Sequence, residues 1–273
     1  MLNLRKLSRR ELLRFSAGTL LSMDLWPGSL AAGDPTATDS FHFLVVNDTH
    51  YIDAACGKWL ERAVRQMQAH EEKIDLCLLV GDLANNGKAS QIGPVKEIFT
   101  GLKAPNYVVI GNHDYLTQQD RKAFTDRYPG RLNYKFEHRG WQWIGLDTTQ
   151  GTLALNTTIA PATFQWLDEH LPKLDKKKPT VLFTHFPMGQ FVPGRPKNAE
   201  DLLARFKDYN LSAVFNGHFH ALTERQEHGI PITTNRCCSF RKPNHDGSKE
   251  KGYFLCTAHE GKISRKFIDV PIS

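Results

Sequence analysis

The chain has 273 residues, 40% hydrophobic and 23% charged, a balance that excludes disordered and fibrous classes and fits a globular protein. Residues 1–31 carry five basic side chains against two acidic ones, so the formal net charge of +6 divides into +3 there and +3 beyond. A charge that small does not point to nucleic acid, and no apolar run reaches the ~20 residues that span a bilayer, so an integral membrane protein is not expected.

The first segment reads Ser8-Arg9-Arg10-Glu11-Leu12-Leu13-Arg14-Phe15, then an apolar stretch from Phe15 to Leu25 broken by Asp24, then Pro27, Gly28 and a small-x-small pattern, Ser29-Leu30-Ala31. It resembles a twin-arginine (Tat) export signal, departing where Leu12 stands in place of the usual Phe. The alternative is a basic amphipathic helix that stays attached. The resemblance implies a signal peptide at 1–31, a polar linker at 32–40, one domain at 41–273, transient contact with the Tat machinery, and a periplasmic or extracellular destination. Tat cargo crosses folded, so a metal could be loaded in the cytoplasm, away from the copper and zinc that outcompete manganese and iron.

Strand-like and helix-like patterns then alternate. Phe41–Val46 reads as a strand. Trp59, Leu60, Ala63, Val64 and Met67 recur at helical spacing, and Leu76–Val80 is a second strand. Ile92, Val95, Ile98, Phe99 and Leu102 mark a second helix before a strand at Tyr107–Ile110. This order predicts a parallel sheet with crossover helices. Tyr134–Glu137 and Trp141–Leu146 flank His138-Arg139-Gly140 as a hairpin, and Thr163–Leu171 is helical. Thr180–Phe183 is a strand, Glu200–Tyr209 a helix with Leu202, Leu203 and Phe206 inward, and Ala213–Phe215 a strand. Tyr253–Thr257 and Ile263–Ile268 form a hairpin around Glu260-Gly261. The expected architecture is two sheets packed face to face with helices outside. Five cysteines without a C-x-x-C pair require no disulfide in a chain this long.

Five strands each end in polar groups of metal-ligand type: Asp48-Thr49-His50, Gly81-Asp82, Gly111-Asn112-His113-Asp114, His185, and Gly217-His218-Phe219-His220. In open α/β sheets ligands bind beyond the carboxyl ends of the strands, so five such ends converge on one crevice. Singly, each motif says little, and a lone His185 reads as a core histidine. Together, mixed oxygen and imidazole donors suit Mn, Fe or Zn better than Ca or Mg. Gly81, Gly111 and Gly217 sit where the backbone turns sharply or approaches the site closely.

These five motifs, in this order from about Phe41 to Ala221, resemble the calcineurin-like metallophosphoesterase superfamily. The resemblance implies an α/β fold, a four-layer α/β/β/α sandwich of two mixed sheets flanked by helices. It also implies that Asp48, His50 and His220 bind one transition-metal ion, that Asn112, His185 and His218 bind a second, that Asp82 bridges both, and that His113 acts on the substrate. The chain looks most like the cyclic-nucleotide-phosphodiesterase-like branch. Asn85 stands where purple acid phosphatases have a tyrosine ligand, and Asn85-Asn86 where protein Ser/Thr phosphatases have Asp-Arg.

The expected reaction is phosphoester hydrolysis of a small diester or monoester. Two metals ~3.5–4 Å apart lower the pKa of bound water towards ~7, so that a metal-bound hydroxide attacks phosphorus while His113 protonates the leaving oxygen. Asp114, adjacent to His113, is expected to orient it. Arg195, Lys197 and Arg241 are candidates for phosphate contact. Phe186, Phe191 and Phe219 are expected in the core, with an apolar substrate wall as the alternative. His42, His70, His138, His170, His228, His245 and His259 are expected to have no role. Two rival readings are an inactive ligand-binding module on the same fold, against which the complete ligand set argues, and a nuclease, against which the low charge argues. Substrate choice is assigned to the loops around 115–131, 150–162 and 187–198.

Overall fold

The structure, a computed structural model, describes residues 40–272. The expected signal peptide at 1–31 and nearly all of the expected linker lie outside the described residues.

Strand β1 (Phe41–Val46) leads into helix α1 (Ala54–Gln68), β2 (Ile74–Val80), α2 (Ala89–Thr100) and β3 (Asn106–Val109). The three strands pair in parallel, as the alternating pattern predicts. Asp53 caps α1 by accepting from the N–H groups of Ala55 and Cys56 at 3.0 and 3.1 Å. The helix buries Trp59, Leu60, Ala63, Val64 and Met67 at the spacing of one helical face. A short helix α3 (Lys122–Arg127) then precedes β4 (Tyr134–His138) and β5 (Trp141–Leu146), followed by α4 (Pro161–His170), β6 (Thr180–Thr184), α5 (Ala199–Ala204) and β7 (Leu211–Asn216). Strands β8 (Thr223–Glu227), β9 (Ile230–Thr234), β10 (Gly252–His259) and β11 (Lys262–Asp269) complete the chain.

The strands form two mixed sheets, β11-β10-β1-β2-β3 and β4-β5-β6-β7-β9-β8. Between them, Phe41, Phe43 and Val45 of β1 and Leu76 and Leu78 of β2 meet Trp141 and Trp143 of β5, Phe183 of β6 and Phe215 of β7. The Phe43 ring stands edge-on to Trp143 at 5.0 Å and to Phe215 at 5.9 Å. Alternate residues of β1 and β2, such as Leu44, Val46, Cys77 and Leu79, face away and pack under α1 and α2. On the outer face of the second sheet, Ile144, Leu182 and Val214 pack with Leu167, Leu202, Leu203 and Phe206. Helices therefore cover both outer faces, which is the four-layer arrangement expected.

Three hairpins turn on two residues with positive φ: Arg139-Gly140, His228-Gly229 and Glu260-Gly261. That is the geometry matching the right-handed twist of the strands they join. The β8–β9 hairpin departs from the sequence reading, which left residues 223–234 unassigned. Thr-Glu-Arg-Gln-Glu shows no apolar alternation because β8 is an edge strand with little to bury. The helix expected at Glu200–Tyr209 ends at Ala204 and gives way to turns, yet Leu202, Leu203 and Phe206 are buried as expected. All five cysteines are buried and free. No described helix is long and apolar enough to cross a membrane.

Candidate metal centre

Strands β1, β2 and β3 of one sheet and β6 and β7 of the other run parallel within their sheets, and their carboxyl ends meet at one place. Donor atoms of Asp48, His50 and His220 lie within 4.8 Å of one another, and so do those of Asp82, His185 and His218. A third group, His50, Asp82 and His113, overlaps both. Asn112 joins the second set, its Oδ1 3.2 Å from Nε2 of His185 and 3.1 Å from Nδ1 of His218. All seven residues named from the strand ends thus come together, with His113 beside them.

The local backbone is shaped for this. Asp48, His50, Asp82 and His218 all have positive φ, between 41° and 65°, a conformation that non-glycine residues adopt at a cost and that gathers at functional sites. A Cβ at Gly111 would fall 2.2 Å from both the amide nitrogen and the Oδ1 of Asp82. The Asp82 carboxylate can therefore reach the β3 turn only because that position lacks a side chain.

Asp82 sits between the two halves: Oδ1 is 3.3 Å from Nε2 of His185, and Oδ2 is 3.6 Å from Nε2 of His50. Its Oδ1 also accepts from the backbone N–H of His113 at 2.8 Å. Asp48 Oδ1 lies 3.2 Å from Nε2 of His220, and both Asp48 oxygens accept from the N–H of His218.

Burial by itself would raise both carboxyls. The imidazoles of His220 and His185 outweigh it at Asp48, and those of His185 and His50 do so at Asp82, so both stay ionised below the usual carboxylate range. Burial would also depress the imidazoles. Asp82 reverses that for His185, raised to about 9, and Asp48 for His220, raised to about 11. Burial prevails at His50, lowered to about 3, and at His218, lowered to about 4. Carboxylates and imidazoles therefore favour each other's charged forms here, and the facing Nε2 atoms of His50 and His220 stand 3.2 Å apart. Converging imidazole nitrogens and buried carboxylates are a donor set that fits transition-metal cations in place of those protons.

The expected role of Asp114 needs correcting. Asp114 does not touch the His113 ring. Its Oδ1 accepts from Ala84 N–H at 2.8 Å and its Oδ2 from Gly111 N–H at 2.9 Å, closing the short 3₁₀ turn Asn112–Asp114. It is fully buried, and burial followed by the charge of Asp82 pushes it up to about 7. The carbonyl of Asn85 holds His113 instead, 2.8 Å from Nδ1. His245, expected to have no role, lies against a candidate ligand. Its ring stacks on His220 at 4.6 Å with a 3° tilt, and its Nδ1 accepts from the His220 N–H at 3.3 Å.

A cleft of about 420 Å³ opens onto the cluster, lined by His50, Asp82, His113, His218, His220 and His245 with Ala154, Leu155, Lys242 and Pro243. Lys242 carried no sequence signal. The three basic candidates lie elsewhere: Arg195 pairs with Glu200 and Glu227, Arg241 pairs with Asp53, and Lys197 is exposed, its backbone N–H bonded to the Thr157 carbonyl. Phe186 is in the core, its ring 4.3 Å from His218. Phe191 is 93% exposed, contrary to the expected core position. Asn47, overlooked in the sequence, donates to Asp48 Oδ2 at 2.6 Å and to the Asn235 carbonyl at 3.2 Å.

The calcineurin-like phosphoesterase family matches residues 41–222. Among curated relatives, a "probable cyclic nucleotide phosphodiesterase" of Fibrobacter succinogenes is 28% identical over 158 residues, covering 54% of this chain and 58% of that protein. The chain thus spans little more than half the length of that relative. The glycerophosphodiester phosphodiesterase GpdQ of Enterobacter lignolyticus is 26% identical over 212 residues, 69% of this chain and 74% of that one. Among solved structures, the purple acid phosphatase PPD1 of yellow lupin superposes with a TM-score of 0.62 at 12% identity, covering 87% of this chain and 52% of the lupin chain, a likeness of fold. The family match takes in every strand end that feeds the cluster, and on that ground the chain belongs to the calcineurin-like phosphoesterase family.

Proposed function

We propose that the protein is a dinuclear phosphodiesterase. Asp48, His50 and His220 would hold one ion and Asn112, His185 and His218 the other, with Asp82 shared and Mn, Fe or Zn as the metals. The observation that carries this reading is the position of Asp82, one oxygen toward His185 and the other toward His50. Metal ions bound there would supply positive charge for the phosphoryl oxygens and acidify a water near neutral pH.

The chain's own groups account for the remaining steps. Water oxygen attacks phosphorus and gives up a proton to solvent, the bond from phosphorus to the leaving oxygen breaks, and that oxygen takes a proton from the His113 ring, which solvent then restores. A ring nitrogen of His113 lies within 4.8 Å of the donor atoms of His50 and Asp82, close enough to meet a substrate held at the cluster. Lys242, in the wall of the same cleft, would attract an anionic ester. The printed names of the relatives, cyclic nucleotide and glycerophosphodiester phosphodiesterases, favour a diester over a monoester.

The test is metal analysis alongside turnover of bis(p-nitrophenyl) phosphate and p-nitrophenyl phosphate. About two transition-metal ions per chain and faster turnover of the diester are expected. Fully metallated protein that leaves both esters untouched would refute the reading. We further propose export through the Tat pathway to the periplasm or the medium, resting on Ser8-Arg9-Arg10 and Ser29-Leu30-Ala31.

A further inference from the structure

Seven large apolar side chains are exposed among the described residues, and six lie in segments that follow β1, β3, β5, β6 or β7. Ile52 follows β1, Leu116 follows β3, Leu153 and Leu155 follow β5, Phe191 follows β6 and Leu222 follows β7. Single exposed apolar residues scattered over a surface mean little, whereas apolar side chains left exposed beside a cleft mark a binding surface.

Two of the six are tied to the cleft. Leu155 lines it and is still 61% exposed. Phe191 has φ of 61°, a conformation that bulky residues rarely adopt. Its loop is braced. Arg195 Nε donates to the Met188 carbonyl at 2.7 Å, Arg195 Nη2 pairs with Glu200 and Glu227, Glu227 accepts from the Gln190 N–H, and Val192 is buried. The ring is therefore displayed by a fixed loop. Three residues on, at Gly194, a Cβ would meet Cδ2 of His218 at 2.4 Å and the Ala154 carbonyl at 3.7 Å. The loops bearing Leu155 and Phe191 thus converge over His218.

A cleft of about 420 Å³ accommodates a phosphoryl group with a compact substituent. A longer organic group has to leave across the rim. We propose that Leu155 and Phe191 form an apolar subsite for an alkyl or acyl chain, so that the substrate is an amphiphilic phosphodiester bound as a single molecule. Lys242 meets its charged end and the rim its chain. The inference rests on the phosphodiesterase reading and names the substrate class for that site.

The experiment compares methyl with octyl p-nitrophenyl phosphate in turnover, and methylphosphonate with octylphosphonate in calorimetric binding. Both use metal-loaded protein below the amphiphiles' micelle concentrations. The octyl compounds should be favoured by about tenfold or more in kcat/KM and in affinity. In Phe191→Ser combined with Leu155→Ser, both octyl-to-methyl ratios should fall to within about twofold of unity. Equal values for the two chain lengths in the unaltered protein, or a preference that survives the double substitution, would overturn the proposal. So would a preference seen only above the micelle concentration, which would assign the rim to a lipid surface. If neither ester is turned over, the phosphodiesterase reading fails, while phosphonate binding still decides whether the rim takes a chain.

Discussion

Nδ1 of His113 lies 2.8 Å from the carbonyl oxygen of Asn85. A carbonyl only accepts, so this nitrogen carries a proton, and the neutral ring has Nε2 bare. His113 can therefore give a proton to a leaving oxygen only from its doubly protonated form. The backbone N–H of the same residue holds Asp82, so residue 113 positions that carboxylate through its main chain, and its side chain is left for the proposed role at the substrate.

His113→Ala should leave that main-chain contact, and hence the metal content, unchanged. Turnover of an ester with an alkoxide leaving group should fall about 10²–10⁴-fold, and turnover of a p-nitrophenolate ester much less, because nitrophenolate departs without a proton. Metal analysis with the two substrates checks this. Loss of metal, or an equal fall on both substrates, would remove His113 from the proton-donor role.

Gly111→Ala adds a Cβ 2.2 Å from the amide and Oδ1 of Asp82, where backbone and a buried carboxylate cannot move aside cheaply. A loss of about 1–3 kcal/mol in unfolding free energy is expected, with weakened retention of metal during dialysis against a chelator. Denaturant titration and metal analysis read the two effects separately. Unchanged values of both would show that the turn relaxes freely.

Asp75 at the base of β2 is a test of pH dependence away from the metal cluster. Its Oδ2 lies 2.5 Å from Nε of Arg139 and 3.0 Å from Nε2 of His138. Burial pulls its pKa up, but these two partners outweigh it and the net shift is downward. A depressed folded pKa gives stability that is complete above the unfolded value near ~3.9 and is lost as pH falls through the folded value. Asp75→Asn should cost about 1–2 kcal/mol at pH 7, allowing for the partial exposure of both partners. The gap to the unaltered protein should close in the acid range, below pH ~4. A gap that is constant with pH would mean that charge plays no part.

Replacing Arg9 and Arg10 together by Lys preserves charge while removing the paired guanidinium groups. The protein should then accumulate in the cytoplasm, folded and active, as followed by fractionation and nitrophenyl diester turnover. Undiminished export would rule out the twin-arginine reading.

The sequence alone determined the β-α-β-α-β order, two of the three hairpins and the seven clustered donors. The reason is that these signals are local: burial period along one strand, a turn glycine, a polar group at a strand end. It did not reveal the β8–β9 hairpin, since an edge strand such as Thr223–Glu227 buries too little to leave a periodic trace. Tertiary structure decided what depends on distant segments meeting. Asp114 follows His113 in the chain, yet the 3₁₀ turn sends its carboxylate to Gly111 and Ala84 while the His113 ring goes to Asn85. His245 is 25 residues from His220 and stacks on it through a loop that shows no motif. Phe191 looks like any core aromatic until its loop is seen pinned by Arg195 and Glu227 with the ring outside. Chemistry at the strand ends is written in residue type and spacing, whereas the shape of the mouth above it comes from long-range packing of loops.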